Sequence, residues 1–383
     1  MSIGAAALTA IAAINTYPIR AALRHVQHTA HESRGDTTLL LVEVVTSDGI
    51  KGYGQISSTP MKDIAAWIAK LAPEVIGMNA LARTEVWEKL FAMTSPQPGK
   101  GGLPRNARAL IMGAIGGIDL ALWDIAGKAA NMPVYRMLGA QNKPVFTYGT
   151  GGYYIEGQKL TACADELAGF VTNGYKAVKL KTGAAPMADE VKRIAATRAA
   201  IGPDVSLMLD MNAAYDLPAC IEFARLVAPY NIFWLEEPLH WYLQPADFAL
   251  LAKATPIPLA HGEREWTRFT TRDFMTLGGI RYVQFDATRY AGFTEALRVA
   301  HMADHAGVMI SPHHAPELHC HIVAAFPRTG FAVESHGSPD RDPIWHGLFS
   351  QRAQVKDSHV YMNELPGFGV EIDWDYANRH IVD

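Results

Sequence analysis

The stretch YKAVKLK at 175–181, with SLMLDMN at 206–212 and IFWLEEP at 232–238 behind it, decides the fold. Each is a short, β-prone apolar run that stops at charged or amide side chains. Between them the apolar spacing turns helical: Val191, Ile194, Ala195 and Ala199 share one face, as do Cys220, Phe223, Ala224 and Val227, with Asp216 and Pro218 near the start of the second segment. The alternation continues upstream to VFTYGTG (145–151) and downstream to PIPLAHGE (256–263), YVQFDAT (282–288), GVMISPH (307–313) and GFAVESH (330–336). Eight such strand-then-helix units in about 200 residues is the arithmetic of an α/β protein of the (β/α)8 TIM-barrel type.

The carboxyl ends of these runs carry Lys179 and Lys181, Asp210 and Asn212, Glu236 and Glu237, Glu263, Asp286, His313 and His314, and Glu334. Core packing has no use for such groups, and in a barrel those ends converge on the mouth that holds the chemistry.

The region before the barrel has a different texture. TLLLVEVVTSDGIKGYGQI (38–56) is two apolar runs joined at Asp48-Gly49, a hairpin signal. Helical spacing follows from 61 to 90, SPQPGKGGLPRN (95–106) marks a loop, and 107–128 predicts a long, largely buried helix. This is a separate α+β lobe over residues 1–140, with the barrel over 141–350.

The 383 residues are 49% apolar and 19% charged, which excludes disorder, collagen-like repeats and coiled coil. Thirty-four basic against 38 acidic residues leave a net charge of -4, no footprint for nucleic acid. The apolar run at 5–14 has no Lys or Arg before Arg20, so no export signal is expected, and no membrane span either. Cys163, Cys220 and Cys320 are expected as reduced, mostly buried thiols in a cytoplasm.

Asp210, Glu236 and Glu263 end three consecutive runs and so stand side by side. Three converging carboxylates repel one another unless a cation neutralises them, and hard oxygen ligands suit Mg²⁺. Three unrelated surface acids are the bland alternative, and neighbouring strand ends match it poorly. Lys179 and Lys181, two residues apart in a strand, both point into the barrel, where each ammonium should lower the other's proton affinity and prepare a general base. Asp286 can orient His313 and raise its basicity, an acid/base pair across the mouth. His314, its neighbour, is expected to face the other way. HHAPELHCH (313–321) lacks zinc-helix spacing, so His319 and His321 read as helix residues.

With these residues in place the chain resembles the enolase superfamily, mandelate racemase subgroup. The resemblance rests on TSDGIKGYGQ (46–55), ALWDIAGKAANMPVYRMLGA (121–140), the K-x-K pair, LDMN, EEP, GE, FDA, SPHH and VES in that order. It implies a modified barrel under an α+β cap, with 351–383 returning to the cap. It further implies metal ligation by Asp210, Glu236 and Glu263, a base at Lys181 with Lys179 beside it, a His313–Asp286 dyad, and Glu334 as a protonated group facing the substrate carboxylate. Such enzymes use a Lys or His base with Mg²⁺ stabilising an enediolate. Gln55 stands where the family often has Glu, and His261 and Arg264 flank Gly262-Glu263 where smaller or neutral residues are usual.

Bases on two faces allow either expulsion of a β-hydroxyl or reprotonation from the far side. The segment 310–327 and TYGTGGYY (147–154) look like those of the subgroup's aldarate dehydratases, which favours a Mg²⁺-dependent dehydratase of a sugar acid, aldonate or aldarate. A racemase or epimerase of a hydroxy- or amino-acid derivative is the alternative. A metal-binding protein without turnover is a third reading, and complete acid/base positions oppose it. Polar groups available to a polyol chain are His25, His28 and His31 in the cap, Arg34, Asn212, Arg264 and Arg289. Arg34 and Arg264 are the candidates for a distal carboxylate. A small carboxylate substrate and a homo-oligomer are expected, with no nucleic-acid or membrane partner.

Overall fold

The computed structural model describes residues 9–57, 60–96, 99, 101–289 and 291–382, so the run at 5–14 and the loop at 95–106 lie partly outside the described residues. Strands β1 (Ile11–His28), β2 (Ser33–Thr46) and β3 (Lys51–Ser57) form an antiparallel sheet in that order. β2 and β3 turn at Asp48-Gly49, with Val45 opposite Lys51 and Gly49 at φ +88°. Leu40, Val42 and Val44 face the main core while Leu39 and Leu41 face a smaller one, which is why 39–42 reads as an unbroken apolar run.

Four helices complete the lobe: α1 (Met61–Leu71), α2 (Arg83–Ala92), α3 (Arg108–Ala129) and α4 (Val134–Met137). The helical spacing from 61 to 90 is therefore broken. The break passes through a 3-10 turn containing Pro73 and through Gly77 at φ +84°, which a continuous α-helix cannot hold. Residues Arg105–Ala129 are long and apolar enough to span a bilayer, but their most apolar stretch is 89% buried in the protein. β3 lies so close on α3 that a Cβ at Gly54 would stand 2.2 Å from the Gly117 carbonyl. Buried Asp124 of α3 accepts from the Tyr53 amide (3.0 Å), the Phe368 amide (3.1 Å) and Lys128 (2.6 Å), tying the sheet, the helix and the C-terminal segment together.

The barrel strands are β4 (Val145–Gly151), β5 (Ala177–Lys181), β6 (Ser206–Asp210), β7 (Ile232–Glu236), β8 (Leu259–His261), β9 (Tyr282–Val283), β10 (Met309–Ile310) and β11 (Val333–Ser335). Alternating with them are α5 (Ala162–Thr172), α6 (Met187–Ile201), α7 (Leu217–Val227), α8 (Pro245–Ala254), α9 (Arg268–Thr276), α10 (Gly292–Ala306) and α11 (Pro316–Ala325). The strands pair in parallel from β4 to β10, β11 pairs back onto β4, and a bridge from Ile310 to Gly330 completes the ring. Alternation sends Leu207, Leu209 and Leu235 out to the helices. Tyr148, Ala177, Met208 and Trp234 fill the inside, and Lys179, Asp210 and Glu236 make the layer above them.

After β11 the helices among the described residues are short. The chain makes α12 (Pro343–Gly347), β12 (Phe349–Gln351), a hairpin of β13 (Gln354–Lys356) and β14 (His359–Tyr361) that pairs with β4, then β15 (Glu371–Ile372) on β12, and α13 (Trp374–His380). Ile344, Leu348, Ile372 and Ala377 of this segment pack on Ile19, Leu39 and Leu41 of the first lobe. The Val382 amide donates to the Pro18 carbonyl at 2.9 Å.

Candidate functional site

Register sets the site. Lys181 pairs with Asp210 across β5 and β6, and Asp210 with Glu236 across β6 and β7. Glu263 follows two residues after β8, and one carboxylate oxygen from each of Asp210, Glu236 and Glu263 lies within 4.8 Å of the others, all three buried. Lys179 contacts Glu236 and lies 3.2 Å from Glu334 and 3.5 Å from Asp210, and Lys181 contacts Asp210. His313 Nδ1 lies 2.8 Å from Asp286 and its Nε2 3.3 Å from Glu263. Asp286 is fixed in turn by the Thr288 amide (2.8 Å) and hydroxyl (2.7 Å).

Burial pushes Glu236 well above the ordinary carboxylate range; Lys179 pulls it back, while the charges of Asp210, Glu334 and Glu263 add to the rise. Glu263 is raised mainly by burial, against the pull of Arg289 and Arg264. Burial opposes ionisation of Asp210 too, but Lys181 and Lys179 together hold it below its usual value. Glu263 Oε2 is buried and accepts no hydrogen bond, its neighbour being His313 Nε2 at 3.3 Å. Three buried hard oxygen donors, two of them held against ionisation and one unpartnered, fit a divalent cation such as Mg²⁺.

Three electrostatic expectations change in this setting. Burial lowers the proton affinity of Lys179 and Lys181, yet Glu236 and Glu334 raise the first and Asp210 and Tyr153 the second, so both end above the usual lysine value. Mutual repulsion loses because each ammonium faces more negative than positive charge. His313 falls well below the usual histidine value, first through burial and then through Arg289, Lys179 and Lys181, which outweigh Asp286. Glu334 is not held protonated: burial raises it, but Lys179, Arg341 and Lys181 bring it below the ordinary range.

His314 does not turn away from the mouth. β10 ends at Ile310, strand alternation stops there, and positive φ at His314 and Ala315 stacks the His314 ring 4.0 Å from that of His313. His319 and His321 are helix residues of α11 that accept from the amides of Ala287 (3.1 Å) and Tyr135 (3.0 Å). Gln55, where the family often has Glu, donates to Glu317 at 2.7 Å, a bond a second carboxylate could not make without a proton. His261 bonds Glu237 at 2.7 Å and, although burial opposes its charge, is pushed up to about 9 by that partner.

A cavity of about 40 Å³ at the mouth is lined by Lys181, His313 and Glu263 together with Arg34, Asn212, Arg264 and Arg289. It opens into a wider vestibule of about 780 Å³ that shares Glu32, Glu263, Arg264 and Arg289 with it and is walled by Phe91, Trp241 and Trp266. His28 does not line the cavity. Gln27 and Thr29 on either side of it do, because alternation along β1 turns His28 away, and its backbone instead bridges to Tyr154. His25 is exposed, and His31 reaches the barrel to stack on Trp241 at 4.6 Å, its Nε2 3.0 Å from the Ala213 carbonyl. Sequence reasoning missed Tyr153, a cavity wall, and Arg341 behind it. Tyr153 stands in the quoted TYGTGGYY segment, whereas Arg341 sits in an irregular segment with no periodic signal.

Comparison with known proteins agrees with this arrangement. The family described as mandelate racemase / muconate lactonizing enzyme, N-terminal domain, matches residues 11–139, and that described as enolase C-terminal domain-like matches 162–376. The chain is 30% identical over 342 residues to arabinonate dehydratase of Saccharolobus solfataricus, covering 87% of this chain and 88% of that one. It is 28% identical over 338 residues to L-talarate/galactarate dehydratase of Salmonella typhimurium, covering 87% and 80% of the two chains. A structure of that enzyme liganded with Mg and L-glucarate superposes with TM-score 0.87 over 98% of this chain and 93% of that one, at 25% identity. A mandelate racemase/muconate lactonizing enzyme from a marine actinobacterium, in complex with magnesium, gives TM-score 0.84 at 29% identity over 98% and 99%. By its two matched domains and its barrel-mouth residues, this chain belongs to the enolase superfamily, in the mandelate racemase/muconate lactonizing enzyme group.

Proposed function

We propose that the protein is a Mg²⁺-dependent dehydratase of a sugar acid. The observation that carries the proposal is the placement of Lys181 and His313 in one cavity wall-to-wall with the carboxylate cluster. β5 and β10 stand three strands apart one way around the ring and five the other, so the two groups address a bound acid from different sides. The two dehydratases with which the chain shares about 30% identity support the sugar-acid reading.

Asp210, Glu236 and Glu263 would hold the cation. Bound there, it would supply positive charge at the substrate carboxylate, against the negative charge that develops when the α-proton leaves. Lys179, beside Glu334, adds a second positive charge at that carboxylate. With Asp210 serving as a ligand, Lys181 would share its counter-charge with the cation, and next to Lys179 its proton affinity would fall towards that of a base. Lys181 takes the α-proton, and the C–H electron pair enters the carboxylate system. The negative charge of a bound acid offsets the cations that lower His313, so that His313, oriented by Asp286, enters as imidazolium, delivers its Nε2 proton to the β-hydroxyl as the C–O bond breaks, and is left neutral as water departs. The resulting enol tautomerises to a 2-keto-3-deoxy acid. Asn212 and Arg264, with Arg289 on Glu263, are placed to meet the polyol chain.

The test is steady-state assay over a sugar-acid library with a ketone-detecting readout. A keto-deoxy product from at least one acid is expected. Products that keep every hydroxyl but are inverted at the α-carbon would reassign the protein as an epimerase, the alternative that the same two groups permit.

A further inference from the structure

Four arginines surround or back the cavity, and they are not equivalent. Arg264 lies 3.2 Å from Glu237, and Arg289 lies 2.9 Å from Glu263 and 3.6 Å from Asp286, so both already face carboxylates. Arg34 does not, and Arg341 reaches one only at the outer limit of an ion pair. Among the described residues no carboxylate lies within ion-pair distance of Arg34, whose Nη2 donates only to Gln27 (3.1 Å) and whose buried Nε has no partner. Arg341 is 3% exposed, its Nε and Nη1 have no partner, and its nearest carboxylate, Glu334, is 4.0 Å away. Arg34 is part-buried and Arg341 buried, and both keep guanidinium donors with no acceptor, which a bound anion would complete.

Both converge on one phenol. The guanidinium carbons of Arg34 and Arg341 each lie 5.0 Å from the Tyr153 ring centre, and Arg341 Nη2 donates to the phenol oxygen at 2.9 Å. With that oxygen already accepting, the phenol's own proton is free to be donated forward. Burial raises the phenol's pKa, but Arg341, Lys181 and Arg34 bring it below the ordinary value, which makes Tyr153 a stronger donor. Arg34 and Tyr153 line the same cavity as Lys181, Asn212 and Glu263. Lys181 contacts Asp210 and stands 5.5 Å from the Tyr153 ring, so the base candidate neighbours both the carboxylate cluster and the Arg34–Tyr153 pair.

We infer that Arg34 and Tyr153 form a subsite for a second, distal carboxylate, with Arg341 positioning Tyr153, so that the substrate is a di-acid. This rests on the sugar-acid reading above and narrows it to the aldarate class. It also replaces Arg264 as the partner of Arg34, because Glu237 already holds Arg264.

The test compares xylarate with xylonate, matched five-carbon acids that differ in one terminal carboxylate, by calorimetry on the Mg²⁺-loaded protein. Xylarate should bind at least about tenfold more tightly, the worth of one charge-assisted contact. Arg34→Gln and Tyr153→Phe should each collapse most of that ratio. Arg341→Lys, which keeps the charge and loses the fork, should lower the di-acid preference and raise KM for aldarates more than it lowers kcat. If Arg341→Lys melts early, Arg34→Gln and Tyr153→Phe decide. Equal affinity for the two acids, no binding of either, or a ratio untouched by Arg34→Gln and Tyr153→Phe would overturn the subsite. A ratio that collapses as expected in a protein that dehydrates no acid in the library would leave the subsite standing and remove the dehydratase reading. Dehydration of mono-acids with no di-acid preference would do the reverse.

Discussion

Asp119 of α3 joins the two lobes and should make their union pH-dependent. It is 2% exposed and accepts from the Thr294 amide (2.8 Å) and hydroxyl (2.6 Å) at the start of α10. Burial dominates these bonds and the distant Arg83, and raises the carboxyl from 3.8 to about 7. The folded protein therefore binds this proton more tightly than the unfolded chain does. Stability is greatest below the unfolded value, falls as pH rises from about 4 to 7, and levels off above. At about 1.36 kcal/mol per unit the full span has a ceiling of about 4 kcal/mol, of which roughly 2 to 3 kcal/mol falls between pH 5 and 8. Asp119→Asn keeps the shape and an acceptor for the Thr294 amide, while the Thr294 hydroxyl can turn to accept. Any bond lost costs at most about 1 kcal/mol at either pH. Urea unfolding followed by tryptophan fluorescence, at pH 5 and pH 8, should show the variant gaining roughly 2 to 3 kcal/mol on the parent as pH rises. A shift smaller than about 0.5 kcal/mol, or of the opposite sign, would mean that Asp119 is ionised throughout, and would refute the claim that burial outweighs its hydrogen bonds.

Activity should vanish with chelator and return with Mg²⁺, and Glu263→Gln should weaken Mg²⁺ binding measured by calorimetry; undiminished turnover in rigorously metal-free protein would sink the ligand assignment. For an acid whose α-proton faces the lysine, Lys181→Ala should abolish turnover and α-proton exchange in D₂O, whereas His313→Asn should block dehydration and retain exchange, read by proton NMR; near-normal dehydration in both variants would refute the two-group scheme. Asp286→Asn should cut kcat by about 10²- to 10⁴-fold with a circular dichroism spectrum like the parent's, because an amide facing Nδ1 favours the wrong tautomer; a loss below about threefold would show that Asp286 does not orient the ring.

The sequence by itself determined the barrel, its chemistry-bearing end and the members of the cluster. Apolar alternation is local, and a side chain at the carboxyl end of a parallel strand reaches the mouth whatever the loops do, so Asp210, Glu236, Lys179, Lys181 and Glu334 were legible from spacing alone. The Asp48-Gly49 turn was legible for the same reason, since its signal lies in adjacent residues. Legibility ended where the answer depends on groups distant in the chain. Helical spacing through 61–90 hid the break around Pro73 and Gly77, and β1, whose polar and apolar residues share no clean period, went unread. Tertiary structure alone decided that His28 faces away while Gln27 and Thr29 face in, and that His314 stacks on His313 once its strand has ended. It also decided the protonation balance. Lys179 and Lys181 sit two apart in sequence and should repel, but carboxylates from β6, β7 and β11 surround them, and Coulomb interactions depend on distance in space. Arg34 and Arg341 stand 307 positions apart in the chain, so their meeting at Tyr153 is a property of the packed lobes that no local pattern encodes.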